Sequence, residues 1–258
     1  MVKGLYAAYT GMINEQNRMD VLTNNLANAS TTGYKKEGAT SQAFKDVLAY
    51  KIKDTTDYPH LSKNIGNLNL GVKVGETYTD YSQGAFKTTE NTYDFALSGS
   101  GFFMIEFTNK SGEKSIKYTR DGSFTLNKDG YLVTKDGDYV LDSRERRIQL
   151  DPNEDTAIDV SGRLQQNGVT VATIGVTDFE DYNYLEHYGE NYYQPVEGAE
   201  RKEADAAIYS GYLEASNVQV VSEMVEMISV SRQYESNQKL IQTIDSTLDI
   251  AANRLGKV

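Results

Sequence analysis

The sequence predicts an α+β protein with long N- and C-terminal helices packed as a coiled coil and an inserted, antiparallel all-β domain. Two observations at the chain ends and one in the middle support this prediction. Apolar residues recur every three or four positions near both ends of the 258-residue chain, which is the spacing of a helix face in a helix-to-helix seam. Between the ends the period becomes two, and three Asp-Gly pairs follow one another at short intervals, a strong hairpin signal.

The first helix is predicted from a stripe whose members alternate steps of three and four residues. The stripe consists of Leu5, Ala8, Met12, Glu15, Met19, Leu22, Leu26 and Ala29. Only Glu15 interrupts its apolar character. The run from Asn28 to Gly33 is rich in turn-forming residues, so we predict that the helix ends there, with Gly33 in the left-handed conformation.

The last helix is predicted to begin near Tyr212 and to carry a similar stripe. Its apolar members are Val221, Met224, Ile228, Ile241, Ile244, Leu248, Ala251 and Leu255. A helix of about forty residues spans about 60 Å at roughly 1.5 Å per residue, which is more than the core of a small domain needs. We therefore expect part of this face to pack on a partner helix. The alternative from periodicity alone is two ordinary amphipathic helices on one core.

Polar residues mark the start, middle and end of this helix. Ser216 and Gln219 have the spacing of a capping box, and Gly256 follows the last leucine, where helices commonly stop. The polar middle of the stripe is formed by Ser231, Tyr234 and Gln238. Buried polar positions of this kind can set the register of a helical seam, although a solvated face would look the same.

The sequence divides into four predicted segments. Residues 1–44 form the N-terminal helix, 45–74 an extended arm or loop, 75–211 the β-rich domain and 212–258 the C-terminal helix. The stretch Ser41–Ile52, which leads into the arm, looks weakly helical or extended, and Lys53–Asn69 is polar. The β-rich domain is predicted to be a meander whose hairpin turns are Asp121-Gly122, Asp129-Gly130 and Asp136-Gly137.

One part of the β-rich domain differs from the rest in amino-acid composition. The stretch Asp178–Ala206 is acidic and rich in tyrosine, and Gly and Pro punctuate it. We predict that it is a loop region that returns the chain to the last helix.

Composition excludes several classes of protein. The net charge of −11 argues against a nucleic-acid-binding surface, which needs clustered Lys and Arg. The chain has no cysteine, so disulfides, zinc-cysteine sites and cysteine catalysis are absent. Met1–Ala8 lacks the apolar core of a cleavable signal peptide, and no run approaches a membrane span.

No catalytic, cofactor-binding or metal-binding residues are predicted. His60 and His187 are far apart without ligand spacing. Gly99-Ser100-Gly101 lacks the third glycine of a dinucleotide loop, because Met104 takes its place. A calcium loop starting at Asp151 fails at the positions that need glycine and glutamate.

Three separated motifs resemble the family of bacterial flagellar rod and hook proteins. The first is Asn24-Asn25-Leu26-Ala27-Asn28 with Thr31-Thr32-Gly33-Tyr34-Lys35-Lys36. The second is Ala96-Leu97-Ser98-Gly99-Ser100-Gly101-Phe102-Phe103 with Tyr118-Thr119-Arg120-Asp121-Gly122. The third is Leu213-Glu214-Ala215-Ser216-Asn217-Val218, followed by Glu223-Met224, Arg232 and Tyr234-Glu235. They occur in the family's order and cover both ends and the middle of the chain.

The resemblance implies a structural subunit of the flagellar basal body without enzymatic activity. It implies homo-oligomeric assembly into a helical tube, contacts with other rod and hook proteins, and passage through the flagellar export apparatus without a cleaved signal. The tube would cross the cell envelope and transmit torque from the motor to the hook. The segment Lys45–Val74 resembles the arm of distal rod members, while proximal rod and hook subunits are the alternatives.

The resemblance and the stripes together predict an assembly interface. Its members are Leu5, Met12, Met19, Leu22, Asn24, Asn25, Leu26, Val221, Met224, Ile228, Ile241, Ile244, Leu248 and Leu255. Turn chemistry is predicted for the amide of Asn28, and contacts between subunits for Asn24 or Asn25.

Two further hypotheses come from other classes of protein. A monomeric β-rich module could recognise glycan or peptide through its tyrosines. A hydrolase could use paired carboxylates of the acidic stretch, although nothing marks such a pair.

Overall fold

The fold is described from a computed structural model that covers residues 2–51, 63–189 and 191–253. Contacts between residues group the chain into two compact units. The helical unit comprises the described parts of Met1–Leu26, Glu37–Thr79 and Gln219–Val258, and the β unit comprises Ala27–Lys36 and Asp80–Val218. This grouping differs from the four predicted segments, because it joins the arm to the two terminal helices.

The two predicted helices are present, and the predicted α+β class is confirmed. Helix α1 spans Val2–Ala27 and helix α2 spans Val220–Asn253. Helix α1 ends immediately before the turn-rich run, and Gly33 has a φ of 70°, as predicted. No helix among the described residues is both long enough and apolar enough to cross a bilayer.

The predicted capping box at the start of α2 is wrong. Ser216 Oγ accepts a hydrogen bond from the Val218 N–H at 3.3 Å, and α2 begins only at Val220. The Glu223 N–H donates to the Gln219 carbonyl at 3.0 Å, which is a bond of the first helical turn. The predicted stop at Gly256 lies outside the described residues.

Between the two helices, the described residues of the helical unit form four strands. They are β1 (Glu37–Ala43), β2 (Val47–Lys51), β3 (Lys63–Leu68) and β4 (Val72–Thr79). β1 pairs antiparallel with β4, and β2 pairs antiparallel with β3. The predicted arm is therefore extended where it is described, and backbone pairing rather than helix formation satisfies its polar groups.

The described residues of the β unit form sixteen strands, all paired antiparallel. They are β5 (Phe86–Thr88), β6 (Phe95–Gly99), β7 (Phe102–Thr108), β8 (Lys114–Thr119), β9 (Phe124–Leu126), β10 (Leu132–Thr134), β11 (Tyr139–Val140), β12 (Thr156–Ile158), β13 (Arg163–Gln166), β14 (Val169–Thr173), β15 (Val176–Phe179), β16 (Leu185–Tyr188), β17 (Tyr192–Pro195), β18 (Arg201–Glu203), β19 (Ala206–Ser210) and β20 (Tyr212–Glu214).

A nine-stranded sheet dominates this unit. Its main path runs β16-β17-β8-β7-β11-β10-β9, and β15 joins β7 to β18. Separate small sheets are formed by β12-β13-β14, β19-β6 and β20-β5. A short 3₁₀ helix, Tyr182–Tyr184, precedes β16.

Two of the three Asp-Gly pairs form the predicted hairpin turns. Asp129-Gly130 connects β9 to β10, and Asp136-Gly137 connects β10 to β11. Asp121-Gly122 lies between β8 and β9, which do not pair, because β8 is flanked by β7 and β17. The hairpin predicted at Asp121 is therefore wrong.

The prediction that Asp178–Ala206 is a loop region is also wrong. β16 and β17 extend the large sheet beside β8, and β18 pairs with β15. The reason is aromatic packing: the ring of Tyr193 lies 5.3 Å from that of Phe102, and the ring of Tyr182 lies 4.7 Å from that of Tyr81. Tyrosines that look like surface residues in the sequence thus fill one side of a core.

Two apolar clusters form the core of the β unit. The larger one contains Phe95, Leu97, Phe103, Ile105, Phe124, Leu132, Val140, Ile148, Leu150, Leu164, Ile174 and Ile208. The second is more aromatic and contains Phe102, Met104, Tyr118, Leu141, Phe179 and Tyr193. All of these side chains are at most 4% exposed, so burial of apolar surface holds this unit together.

Candidate assembly interface

Helices α1 and α2 pack against each other in an antiparallel seam. A Cβ atom built on Gly4 would lie 3.7 Å from Ile244 Cδ1, and one on Gly11 would lie 3.0 Å from Asn237 Nδ2. Further along, Asn25 Nδ2 donates to Glu223 Oε2 at 3.3 Å. From one contact to the next, the residue number increases along α1 and decreases along α2. The steps are seven and then fourteen residues on both helices. That heptad register is typical of a coiled coil.

The end of the seam near Asn25 is polar. Asn25 is completely buried, and its amide forms a pair of hydrogen bonds with the backbone of Glu37. Nδ2 donates to the Glu37 carbonyl at 2.7 Å, and Oδ1 accepts from the Glu37 N–H at 2.9 Å. The amide therefore fixes the start of β1 against α1. A buried amide satisfied in this way favours one register of the seam over others.

Residues of α1 in the predicted interface lie mostly along this seam. Leu22 is buried, while Leu5, Met12, Met19 and Leu26 are half-buried. The two predicted asparagines differ, since Asn25 is buried within the chain and Asn24 is exposed. Neighbouring α1 positions Tyr6, Tyr9 and Ile13 form a separate exposed apolar stripe.

Residues of α2 in the predicted interface are divided between two faces of the helix. Ile241, Ile244 and Leu248 are half-buried, on the side that meets α1. Val221, Met224 and Ile228 are exposed by 76%, 50% and 54% of their surface. The two halves of the predicted stripe therefore lie on different faces of α2, because Glu223 and Val230, which are buried, take the inward positions in the first half. Leu255 lies outside the described residues.

The outward face of α2 is a contiguous apolar stripe. We call it the outer stripe and define it as Val221, Met224, Val225 and Ile228. Val225 is 63% exposed, and a shallow groove of about 380 Å³ continues from Val225 and Ile228 toward Ser236. Members of the outer stripe are three or four residues apart, as in a helix face that packs on another helix.

A buried ion cluster lies in the β unit, and sequence reasoning did not find it. Glu214 Oε1 accepts from Lys35 Nζ at 2.5 Å, and Glu214 Oε2 lies 3.4 Å from an Arg120 nitrogen. All three side chains are at most 4% exposed. Burial lowers the pKa of Lys35 from its ordinary value, and the Glu214 carboxylate opposes that shift. The cluster ties the segment after α1 to the strand before α2.

The backbone around Lys35 supports the same connection. The Gly33 N–H donates to the Glu214 carbonyl at 2.8 Å. A Cβ on Gly33 would lie 2.4 Å from the Asp121 nitrogen, so only glycine fits this close approach. The signal in the sequence was that Gly33, Lys35, Arg120 and Glu214 fall inside the three motifs, but nothing in their spacing indicated that they meet.

Within the described ranges, no group of three or more His, Asp and Glu side chains is placed to hold a metal ion. His187 lies on β16 with its ring 5.2 Å from that of Tyr193, in an edge-to-face arrangement. His60 lies outside the described residues.

Models of three protein families match successive parts of the chain. The model described as flagella basal body rod protein matches residues 5–35. The flagellar hook protein FlgE/F/G D1 domain matches residues 96–175, and the C-terminal part of flagellar basal body rod FlgEFG proteins matches residues 209–255. The two terminal matches cover most of α1 and all of α2.

Whole-length relatives are also found. The flagellar basal-body rod protein FlgG of Buchnera aphidicola (subsp. Schizaphis graminum) is 31% identical over 96% of this chain and 98% of its own length. The flagellar hook-basal body complex protein FlhO of Bacillus subtilis is 33% identical, and the match covers 100% of both chains. The flagellar basal-body rod protein FlgF of Caulobacter vibrioides is 34% identical, again over 100% of both.

Proposed function

This chain belongs to the family of flagellar basal-body rod proteins, as its motifs predicted, and on that basis we propose that it is a structural subunit of the rod. Copies of the chain assemble into a helical tube that transmits torque from the motor to the hook. The role is mechanical, with helix-to-helix contacts in the tube core and contacts between β units outside it.

The observation that carries this proposal is the outer stripe of α2. Burying one exposed Val, Ile or Met side chain is worth about 1.5–3 kcal/mol, and four such side chains stand next to one another on this helix. The stripe is most easily covered by a helix of a neighbouring copy, because its spacing matches that of a helical seam. The stripe of Tyr6, Tyr9 and Ile13 on α1 is a second surface for such contacts.

We assign the subunit to the distal rod. The support is the segment Lys45–Val74, which resembles the arm of distal rod members and forms strands β2 and β3 where it is described. Proteins named FlgG and FlgF match this chain with 31% and 34% identity, so overall similarity does not separate the rod types. Proximal rod is the alternative assignment.

The same proposal places the protein in the flagellar basal body. Its neighbours there are further copies of the chain and other rod and hook proteins. It reaches this place through the flagellar export apparatus. The support for this route is the family membership alone.

The outer stripe can be tested by a matched pair of substitutions on α2. Val225→Asp places a charge in the outer stripe, whereas Gln242→Asp places the same charge at an exposed polar position of the same helix. We expect Val225→Asp to abolish tube formation by the purified chain in electron micrographs while the far-UV circular dichroism of the soluble chain stays unchanged. Gln242→Asp should assemble at least partly.

The inward face of α2 gives the complementary variant. Ile244→Asp should also prevent assembly, but by disturbing the seam with α1, so the helix signal of the soluble chain should fall. If Val225→Asp chains still form complete tubes, the outer stripe is not an assembly surface and the proposal loses its main support.

A further inference from the structure

Three segments of the chain meet at the side chain of Asn217, within the β unit. Lys36 directly precedes β1, Asp80 directly follows β4, and Asn217 lies three residues before the first residue of α2. All three residues belong to the β unit, and close to each of them the chain passes to or from the helical unit. We call the place where they meet the junction, and define it as Lys36, Asp80, Ser82 and Asn217.

The junction is closed by a ring of three hydrogen bonds. The Asp80 N–H donates to the Lys36 carbonyl at 2.8 Å, and the Lys36 N–H donates to Asn217 Oδ1 at 2.7 Å. Asn217 Nδ2 donates to the Asp80 carbonyl at 2.8 Å, which closes the ring. One side-chain amide therefore supplies an acceptor to one backbone segment and a donor to another, because an amide carries both kinds of group.

The amide of Asn217 is held in one orientation. Besides the Asp80 carbonyl, Nδ2 donates toward Ser82, whose carbonyl lies at 3.2 Å and whose Oγ lies at 3.1 Å. A flipped amide would place its NH2 group against the Lys36 N–H and its oxygen against two carbonyls, so the hydrogen-bond pattern excludes it. Both ends of the side chain are thus engaged, each by backbone groups of a different segment.

The buried ion cluster joins the same three segments a second time. Lys35 Nζ donates to the Ser82 carbonyl at 2.8 Å as well as to Glu214, and the Gly84 N–H donates to Glu214 Oε1 at 2.9 Å. The side chains of Lys35 and Glu214 are buried, whereas Asp80 and Ser82 are exposed. The ion cluster accordingly belongs to the interior of the β unit, and the Asn217 amide to the places where the chain leaves it.

One of these places is held by an asparagine on its other side too. Glu37, the first residue of β1, belongs to the helical unit, where its N–H and carbonyl bond to the amide of the buried Asn25. Two asparagine amides therefore hold the consecutive residues Lys36 and Glu37, one amide within each unit. A linker that was only a flexible connection would have no use for either amide.

We propose that Asn217 is a positioning residue that latches together three segments through which the β unit connects to the helical unit, so that they open together. The physical basis is the closed ring, in which each hydrogen bond orients the groups of the next. In a rod subunit the latch makes the three segments share a load that enters through any one of them. This last step rests on the proposed function, whereas the latch itself does not.

The experiment is amide hydrogen exchange, resolved by residue, on the full-length unassembled chain. Asn217→Ala should lower the protection factors of the Lys36 and Asp80 amides about tenfold, because removing the partner of a hydrogen bond typically costs that much. The Asp80 amide is the sharper readout, since it bonds to Lys36 and not to Asn217. Amides of β7 and β8 should keep their protection. The matched control is Asn183→Ala, because the side chain of Asn183 is exposed in the same unit.

Asn217→Asp separates hydrogen bonding from the shape of the side chain. At pH 7 the new carboxylate can accept from the Lys36 N–H but has no proton for the Asp80 carbonyl, so Asp80 should lose protection as in Asn217→Ala. Below about pH 4, the ordinary pKa of an aspartate, the protonated carboxyl again offers a donor and an acceptor. Protection of Asp80 should then return toward that of the unmodified chain at the same pH.

Comparison at equal pH isolates the new carboxyl, because the other charged groups of the joined segments are present in both chains. These groups are Lys35, Lys36, Asp80 and Glu214.

Three results would overturn the latch. The first is unchanged protection of Asp80 in Asn217→Ala, since the segments would then open independently. The second is an equal loss at Asp80 and throughout β7 and β8, which would mean that Asn217 only stabilises the β unit as a whole. The third is an Asn217→Asp chain whose loss of protection does not depend on pH, because hydrogen bonding would then not be the cause.

The sharing of load is tested on assembled tubes. A fixed shear should break tubes of Asn217→Ala chains into shorter pieces than tubes of the unmodified chain, as measured in electron micrographs, while Asn183→Ala tubes should match the unmodified ones. Equal lengths for Asn217→Ala would contradict this role. If the unmodified chain forms no tubes, the proposed function fails, and the exchange measurements on the unassembled chain still decide whether the latch exists.

Discussion

The helical unit and the β unit bury different kinds of side chain. In the described part of the helical unit, the buried apolar residues are Ala8, Leu22 and Val230, and the buried polar residues are Thr10, Asn14, Asn25 and Glu223. The β unit buries two large clusters of aromatic and aliphatic side chains. The β unit can therefore be held by its own core, whereas the helical unit leaves several of its apolar side chains exposed.

The helical unit combines exposed apolar stripes with an internal seam between its two helices. Exposed apolar side chains form stripes on α1 and α2, and each helix also contributes to an internal seam whose contacts are partly polar. Such a seam gives the helices a register without giving them much stability of their own. We infer that assembly adds the missing burial to the helical unit and changes the core of the β unit little.

The largest effect is expected from the buried ion cluster of the β unit. Glu214→Gln removes the carboxylate that faces both Lys35 and Arg120, and leaves two buried cations uncompensated. Losing one partner of a buried ion pair typically costs about 3–5 kcal/mol. Urea unfolding followed by near-UV circular dichroism of the tyrosines measures this loss.

The control for that change is Glu203→Gln, which removes an exposed carboxylate of β18 in the same unit. It should alter the free energy of unfolding by less than about 0.5 kcal/mol. A Glu214→Gln chain as stable as this control would mean that the cluster contributes nothing to the β unit.

A pair of leucine truncations compares the two units directly. Leu164 is 0% exposed in the larger core of the β unit, and Leu22 is 6% exposed in the helical unit. Leu164→Ala should cost about 2–5 kcal/mol, because it leaves a cavity in a closely packed core. In the unassembled chain Leu22→Ala should cost less than Leu164→Ala, because Leu22 lies outside both apolar clusters. Equal costs in the two units would remove the distinction.

The smallest effect is a pH dependence on the surface of the β unit. Hydrogen bonds from Arg147, at 2.6 and 3.1 Å, lower the pKa of Glu106 to about 2 from an ordinary value of 4.5. Because the folded pKa is depressed, the stabilisation is present above pH 4.5 and is lost as the pH falls through about 2. Solvent screening limits it to about 1 kcal/mol or less.

Glu106→Gln should therefore lower the free energy of unfolding at pH 7 and should match the unmodified chain near pH 2. The stability difference between Glu106→Gln and the unmodified chain is measured from unfolding midpoints at several pH values. Glu113→Gln serves as the control, because Glu113 is exposed. A pH-independent difference would mean that packing of Glu106, and not its charge, is responsible.

Local patterns in the sequence predict the helices and hairpins well, because these depend on neighbours along the chain. The stripe from Leu5 to Leu26 indicates α1, and Asp129-Gly130 and Asp136-Gly137 mark real turns. Periodicity could not separate the outer stripe from the inward face of α2. Both faces carry apolar residues, and only the position of α1 distinguishes them.

Features that join distant parts of the chain could not be predicted. Lys35 and Glu214 are 179 residues apart, and Arg120 is 94 residues from Glu214, so no local pattern indicates that they meet. The tyrosines of the acidic stretch were misjudged for the same reason. Tyr193 is buried only because β17 pairs with β8, and a tyrosine suits either a wet surface or an aromatic core.

The most direct test of the account is amide hydrogen exchange on the soluble chain and on the assembled tube. We expect amides of β7 and β8, in the core sheet of the β unit, to be strongly protected in both states. Amides of α1 and of the first half of α2 should exchange quickly in the soluble chain and become protected on assembly. Equal protection of Leu5–Ala27 in both states, at the level of β7, would contradict the claim that the helical unit depends on its neighbours.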